Sequence, residues 1–475
     1  MTLNQRDAPL HQALQKFIQN EPISFHVPGH KNGQLFSELG KDKFQELLKF
    51  DLTELNGLDD LHAPSGVIKA AQQLAADWFG ASETHFLVGG STAGNLAMIL
   101  AAGSVRKKMI VQRNCHKSIL NGLELCNAEP VFVAPEFDTR ANRYTAPSFG
   151  SIKNAVEESE EIGAIILTYP DYYGKTFDIK EIIDYAHEQN IPVLVDEAHG
   201  VHFSLKNEFP PSALDLGADV VVQSAHKMAP AMTMASYLHV RSQLIRAEDV
   251  FHYLQMIQSS SPSYPLMASL DLARHFLANI DEKTIDKLKK SITQFREMLL
   301  LGHNWKVVES TTYDDPLKIT LEVNNGMTGH QLAELFESNG IYPELSSYHQ
   351  VLFVHGLAPF QKWKRLSIAL EKIEERLNST PKHDTMEIAD MFPVKVQNLE
   401  LSYLEMKQRD KVRLEWSQAE SRIAAESVIP YPPGIPIIFK GEKITGKHVK
   451  MVEYLLNRGT NFQNKEIGKG IICFV

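Results

Sequence analysis

The stretch ADVVVQSAHK at 218–227 and the earlier stretch IPVLVDEAHG at 191–200 share one form: a short apolar run that stops abruptly at polar, reactive residues. Apolar runs of this length, bounded on both sides, read as strands buried on both faces. The helical repeat DIKEIIDYAHEQ at 178–189 leads into the 191–195 strand. Working outward, strands are expected at 108–112 (KMIVQ), 130–134 (PVFVA), 163–168 (GAIILT) and 235–240 (ASYLHV), with helical periodicity over 66–80 and 91–103. Strands alternating with helices in this way specify βαβ units and a mostly parallel, doubly covered sheet, an α/β fold. A short amphipathic helix is expected at 10–19. Beyond SSSPSYP at 259–265, a long helical region is expected to run to about Gly302. A second α+β pattern comes next, with strands at 305–309, 317–323 and near 341–354 and helices at 329–339 and 361–378. The tail is expected to carry a helix at 409–425 and a Pro-rich turn, YPPGIP, at 431–436.

The chain has 475 residues, 43% hydrophobic and 22% charged, which is enough apolar surface for several packed domains. That balance excludes a disordered, collagen-like or disulfide-scaffold protein. A net charge of −10 argues against a general polyanion binder, so no nucleic-acid partner is expected. Cys115, Cys126 and Cys473 are odd in number and form no C-x-x-C motif, which fits a reducing cytoplasm. The first residues lack a signal pattern, and no apolar run approaches the roughly 18 residues of a membrane span.

In open parallel sheets, ligands bind outside the carboxyl ends of the strands. Here those ends carry titratable groups: His116 after 108–112, Tyr169 to Tyr172 after 163–168, Asp196 and His199 after 191–195, and Ser224, His226 and Lys227 after 218–223. Each alone has a bland explanation: Asp196 as a helix N-cap, Lys227 as a solvated lysine, His116 and His199 as packing residues. Their convergence on one set of strand ends points to a shared active site. The segment LVGGSTAGNLAMILAA at 87–102 supplies an anion site, since Gly89 and Gly90 allow close approach and Ser91 and Thr92 open a helix. A capped Gly-rich turn is its plainer reading.

Asp196-Glu197-Ala198-His199 spells the DEAH of some helicases, but neither a phosphate loop nor a G-x-G-x-x-G fingerprint accompanies it. His199 with His202, or His26 with His30, lacks the third ligand of a metal site, and no metal is expected. A phosphate cradle, an aspartate and a lysine at successive strand ends together suit pyridoxal phosphate. That cofactor needs a lysine amine, an acidic partner for its ring nitrogen and an anion site. His116 is a candidate to stack on the ring, and Ser224 and His226 to contact the phosphate.

The segments SFHVPGHKNG (24–33), DLTELNGLDDLHAP (51–64), VDEAHGVHF (195–203), SAHK (224–227), SPSYPLMASLD (261–271) and YPPGIP (431–436) resemble the prokaryotic ornithine/lysine/arginine decarboxylases, of aspartate aminotransferase-like fold type I. The resemblance runs from about residue 10 to 440 and lacks the N-terminal wing domain of the larger members, as in the compact branch linked to polyamine synthesis. It implies Lys227 as the Schiff-base lysine, Asp196 as the pyridinium partner and His116 as the stacking group. Ser91, Thr92, Ser224 and His226 would lie around the cofactor and its phosphate, and His199 near the ring. Lys227, Asp196 and His226 form the expected catalytic set, with Lys227 and a nearby histidine the candidate proton donors to Cα. Ser260 matches a position that reaches the neighbouring subunit's cofactor, so a homodimer or higher homo-oligomer with shared sites is implied. Ala225 and Met228 depart from the Thr-bearing patterns of larger members.

The expected activity is cytoplasmic α-decarboxylation of arginine, lysine or ornithine, with arginine favoured. The alternatives are another fold type I reaction, such as transamination or elimination, and a catalytically silent regulator. Glu344, Glu426 and Arg422 are weak candidates for substrate contacts. The expected division is 1–63 (N-terminal helix and linker), 64–300 (large cofactor-binding domain), 301–380 (small α+β domain) and 381–475 (C-terminal α+β domain).

Overall fold

A computed structural model describes residues 3–206, 208–324, 327–377, 395–430, 435–457 and 459–475. The expected boundary at 380/381 and residues 431–434 of YPPGIP lie outside the described residues. The chain divides into two compact units, Met1–Val105 with Ile179–Ile280, and Arg106–Asp178 with Asp281–Val475.

In the first unit the strands Val193–Asp196 and Val220–Gln223 pair in parallel. Ser236–Val240 runs antiparallel to the latter, and Glu83–Leu87 runs antiparallel beside it. The strand Glu83–Leu87 (ETHFL) escapes the sequence reading because Glu, Thr and His dilute its apolar character, although Phe86 and Leu87 are fully buried. The helix before it, Val67–Phe79, stops at Gly80, whose left-handed backbone returns its N–H to the Ala76 carbonyl. The helix after it, Gly90–Gly103, buries Ala, Met and Ile around most of its circumference, as a helix enclosed by other elements must. It lies so close to the strands that a Cβ on Gly94 would sit 2.8 Å from Leu87 Cδ1 and 2.9 Å from a Val222 methyl.

The family-like motifs of this unit interlock. His30 Nε2 lies 3.1 Å from Asp51 Oδ2. The Asp59 carboxylate accepts from the backbone N–H groups of Ser65, Gly66, Ile68 and Lys69 at 2.8–3.2 Å, an N-cap supplied from outside the helix. Tyr264 of SPSYP donates its hydroxyl to the Asp59 carbonyl at 2.6 Å. Asp271 caps the Pro9–Gln19 helix through Leu10 N–H at 3.0 Å and pairs with the fully buried Arg274.

In the second unit Ile162–Thr168, Lys108–Gln112 and Glu129–Val133 form a parallel set, with Val396–Asn398 added antiparallel to the last. Trp305–Val307, Lys318–Val323, Gln350–Val354 and Leu345–Ser346 form a separate antiparallel sheet. Its core gathers Trp305, Ile319, Phe336, Val351 and Ile373 with the helices Gly329–Ser338 and Trp363–Leu377. The expected long helical region to about Gly302 is made of two helices, Tyr264–Asn279 in the first unit and Glu282–Leu300 in the second, the latter capped by Asp281 through Thr284 N–H at 2.7 Å. The expected helix at 409–425 is wrong. Lys411–Leu414 is instead a strand antiparallel to Ile471–Phe474, succeeded by the short helix Trp416–Ala419. Pairing with a strand some 60 residues away overrides a local pattern that was only weakly periodic.

Because the space beside Gly94 is already filled, Gly94→Ala should lower stability by about 1–3 kcal/mol, the usual cost of overpacking. The measurement is the shift of the urea midpoint at unchanged m-value. An unshifted midpoint would mean that the helix can lift away freely.

Candidate active site

The first unit brings together most of the residues singled out from sequence. The strand ending at Asp196 and the one ending at Gln223 are adjacent and parallel, so both release their next residues at the same sheet edge. Lys227, on the short helix Ala225–Met228, places Nζ 3.0 Å from His199 Nε2. A lysine ammonium only donates, so in that state Nε2 accepts and the ring proton resides on Nδ1, a tautomer inferred from partners. His199 is 5% exposed and therefore held rather than solvated. His226 directs Nδ1 at the Ala235 carbonyl, 3.1 Å away. Burial, together with the nearby Lys227 charge, pushes its pKa down against that hydrogen bond.

Asp196 is 3% exposed, yet both oxygens find donors: Asn95 Nδ2 at 2.9 Å and the Ala198 N–H at 3.2 Å. Ser224 Oγ lies 2.6 Å from Ser91 Oγ, and Ser91 also donates to Ser236 at 3.2 Å. Thr92 is exposed on the first turn of the same helix. Gly90 has φ +72°, and a Cβ there would meet nothing nearer than the Met234 carbonyl oxygen at 3.9 Å, so the space above the helix start is open. Ser260 stands in the exposed loop before Tyr264–Asn279. Two residues earlier, Gln258 accepts from Val88 N–H at 2.8 Å and donates to the Phe86 carbonyl at 3.3 Å, which fastens that loop to the strand leading into Gly89–Gly90.

Beneath this edge runs a buried polar chain. Thr84 Oγ1 is 2.8 Å from His239 Nδ1, His239 Nε2 is 3.0 Å from Gln223 Oε1, and Gln223 Nε2 donates to Glu197 Oε2 at 2.6 Å. Ala213 N–H satisfies the other Glu197 oxygen at 2.7 Å. Burial pushes His239 down to about 3, so it stays neutral. Burial likewise pushes Glu197 up to about 8 against the opposing Gln223 and Ala213 bonds. The chain ties three strands together directly behind Asp196 and Ser224.

In the second unit His116 N-caps the helix Lys117–Leu125, its Nδ1 accepting from Ser118 N–H at 3.2 Å. Its loop is anchored by Arg113, which makes a buried ion pair with Glu442 at 2.9 Å and stacks over Phe439 at 4.2 Å. Glu344 accepts from the Tyr172 hydroxyl at 2.7 Å. Glu426 accepts from Ile472 N–H and Asn464 at 2.9 and 3.0 Å, a bracing role within the C-terminal fold. The sequence reading missed Asn95, Gln258 and Glu197. Asn95 was recoverable from its place in GGSTAGN, one helical turn beyond the expected anion site.

The donor set fits pyridoxal phosphate. An open, Gly-formed helix start with two hydroxyls suits a phosphate, a buried carboxylate with spare lone pairs suits a protonated ring nitrogen, and a lysine held by an imidazole suits an aldehyde.

Comparison with known proteins shows the family of the chain. The family described as Orn/Lys/Arg decarboxylase, major domain, matches residues 8–311, and the corresponding C-terminal domain matches residues 382–465. The chain is 43% identical over 465 residues to the Bacillus subtilis (strain 168) protein named "Uncharacterized protein YaaO", covering 96% of each. It is 34% identical over 481 residues to the arginine decarboxylase of Bacillus subtilis (strain 168), covering 98% of this chain and 96% of the other. The structure of the Escherichia coli constitutive lysine decarboxylase superposes with a TM-score of 0.82 at 18% identity, over 100% of this chain and 82% of that one, a likeness of fold.

The raised Glu197 makes a pH prediction. A carboxyl whose folded pKa lies above its ordinary 4.5 contributes stability that is full below 4.5 and is lost as pH rises through about 8. Glu197→Gln removes that slope. The denaturation midpoint of the variant minus that of wild type should therefore rise from pH 4.5 to about 8. A difference independent of pH would show that Glu197 does not titrate there.

Proposed function

From the premise that the chain belongs to the Orn/Lys/Arg decarboxylase family, and so is an amino acid decarboxylase, a carboxy-lyase, we propose that it removes CO2 from arginine with pyridoxal phosphate bound at Lys227. The single observation that carries this reading is the set Lys227–His199, Asp196–Asn95 and Ser91–Ser224 on one strand edge. Arginine is preferred to lysine and ornithine because relatives named arginine decarboxylase reach 34% identity, whereas those named lysine decarboxylase reach 21%.

When bound, the cofactor supplies an electron sink conjugated with the substrate Cα. Lys227 Nζ would be the amine that holds its aldehyde carbon. Asp196, which is buried, would hold a proton on the ring nitrogen through a charge-assisted bond. The Gly90 helix start, Ser91, Thr92 and Ser224 would bind the phosphate, with His226 as a further contact, and His116 would stack on the ring. His199 Nε2, 3.0 Å from Lys227 Nζ, would take and return a proton there, and this pair would be the source of the proton that Cα needs once CO2 has left. We assign these tasks to 64–300, with 1–63, 301–380 and 381–475 as accessory segments.

The same reading makes the protein a cytoplasmic homodimer in polyamine metabolism, with Ser260 reaching the partner's cofactor. An apolar stretch supports the dimer: Ile23, Phe25, Val27, Leu35 and Leu39 are all exposed, Leu39 fully. A soluble chain rarely leaves so much apolar surface uncovered, and a second copy is the occupant that would cover it. No helix among the described residues is long and apolar enough to cross a membrane.

Arginine, lysine and ornithine labelled at C1 test the reading. Labelled CO2 should appear fastest from arginine together with the amine, and Lys227→Ala should reduce it to background. Release from none of the three, by protein shown to hold the cofactor, would defeat the proposal. Release from lysine or ornithine alone would overturn the choice of arginine.

A further inference from the structure

We propose that Asn95 is a positioning residue that fixes the orientation of the Asp196 carboxylate. The inference rests on the reading above, in which Asp196 faces a pyridinium nitrogen. Asn95 is 1% exposed and donates from Nδ2 to Asp196 Oδ2 at 2.9 Å. Ala198 N–H holds the other oxygen at 3.2 Å. Each oxygen therefore has one neutral donor and keeps lone pairs for a cationic partner.

Asn95 also couples two tasks. It stands on the helix Gly90–Gly103, whose first turn is the expected phosphate cradle, and Gly94 beside it seats that helix directly on Leu87 and Val222. One rigid element thus sets the separation between the phosphate end and the carboxylate, with Asn95 about one helical turn past Ser91. Without the amide, the Asp196 carboxylate would no longer be aimed at the ring nitrogen of a bound cofactor, that nitrogen would hold its proton less well, and the ring would be a weaker electron sink.

The test uses holoenzyme reconstituted with pyridoxal phosphate carrying 15N in the ring, read by solid-state NMR. Wild type should show the shift of a protonated pyridine nitrogen. Asn95→Leu, close in volume but without a donor, should move that shift toward neutral pyridine. Its kcat should fall roughly ten- to a hundredfold, with KM changed less than about twofold. If Asn95→Leu yields no holoenzyme, Asn95→Ala takes the same measurement. An unchanged 15N shift overturns the proposal, whether or not activity falls, because a purely structural residue would lower activity without moving the ring proton. Wild-type protein that binds no pyridoxal phosphate fails the reading above and this inference with it, an outcome visible before any variant is made.

Discussion

The close seat of the Gly90–Gly103 helix on the strands Glu83–Leu87 and Val220–Gln223 is the contact on which the candidate site depends. It is possible only because residue 94 has no side chain. That seat puts the open helix start beside Ser224 and brings the Asn95 amide to Asp196. Lifting the helix by the width of a methyl group would loosen the proposed anion cradle and free the Asp196 carboxylate together. Stability and site geometry are coupled here through packing, since well-packed interiors pass on even small volume changes.

The buried chain from Thr84 to Glu197 is the polar counterpart of that seat. Thr84 donates, His239 and Gln223 each accept at one atom and donate at another, and Glu197 accepts at the end, an order that a neutral His239 requires. A fully satisfied network fixes strand register better than apolar contacts, which tolerate sliding, because any slip would leave buried polar groups without partners. The strand ends that carry Asp196 and Ser224 are held in register in this way. The cost is a carboxyl cut off from water, and that burial raises the pKa of Glu197.

Much of this was legible in the sequence. The central strands and the residues at their ends stand within a residue or two of where apolar runs and abrupt polar stops put them, because buried parallel strands have few other ways to be written. The Lys227–His199 and Ser91–Ser224 contacts arise from that edge. Partners that come from far along the chain were not legible. Gln258 meets Val88 across 170 positions, and Lys411–Leu414 becomes a strand only because Ile471–Phe474 lies alongside. Asp59 capping a helix from a loop is equally invisible to local pattern, although it gives DLTELNGLDDLHAP and SPSYP a shared structural task.

The central claim is that Lys227 holds pyridoxal phosphate at this edge. Borohydride treatment of the holoprotein, then proteolysis and mass mapping of the reduced cofactor, tests it most directly. The account predicts loss of the visible absorbance band and a single modified peptide carrying the label on Lys227. A label on any other lysine, or no covalent label from protein saturated with pyridoxal phosphate, would contradict it.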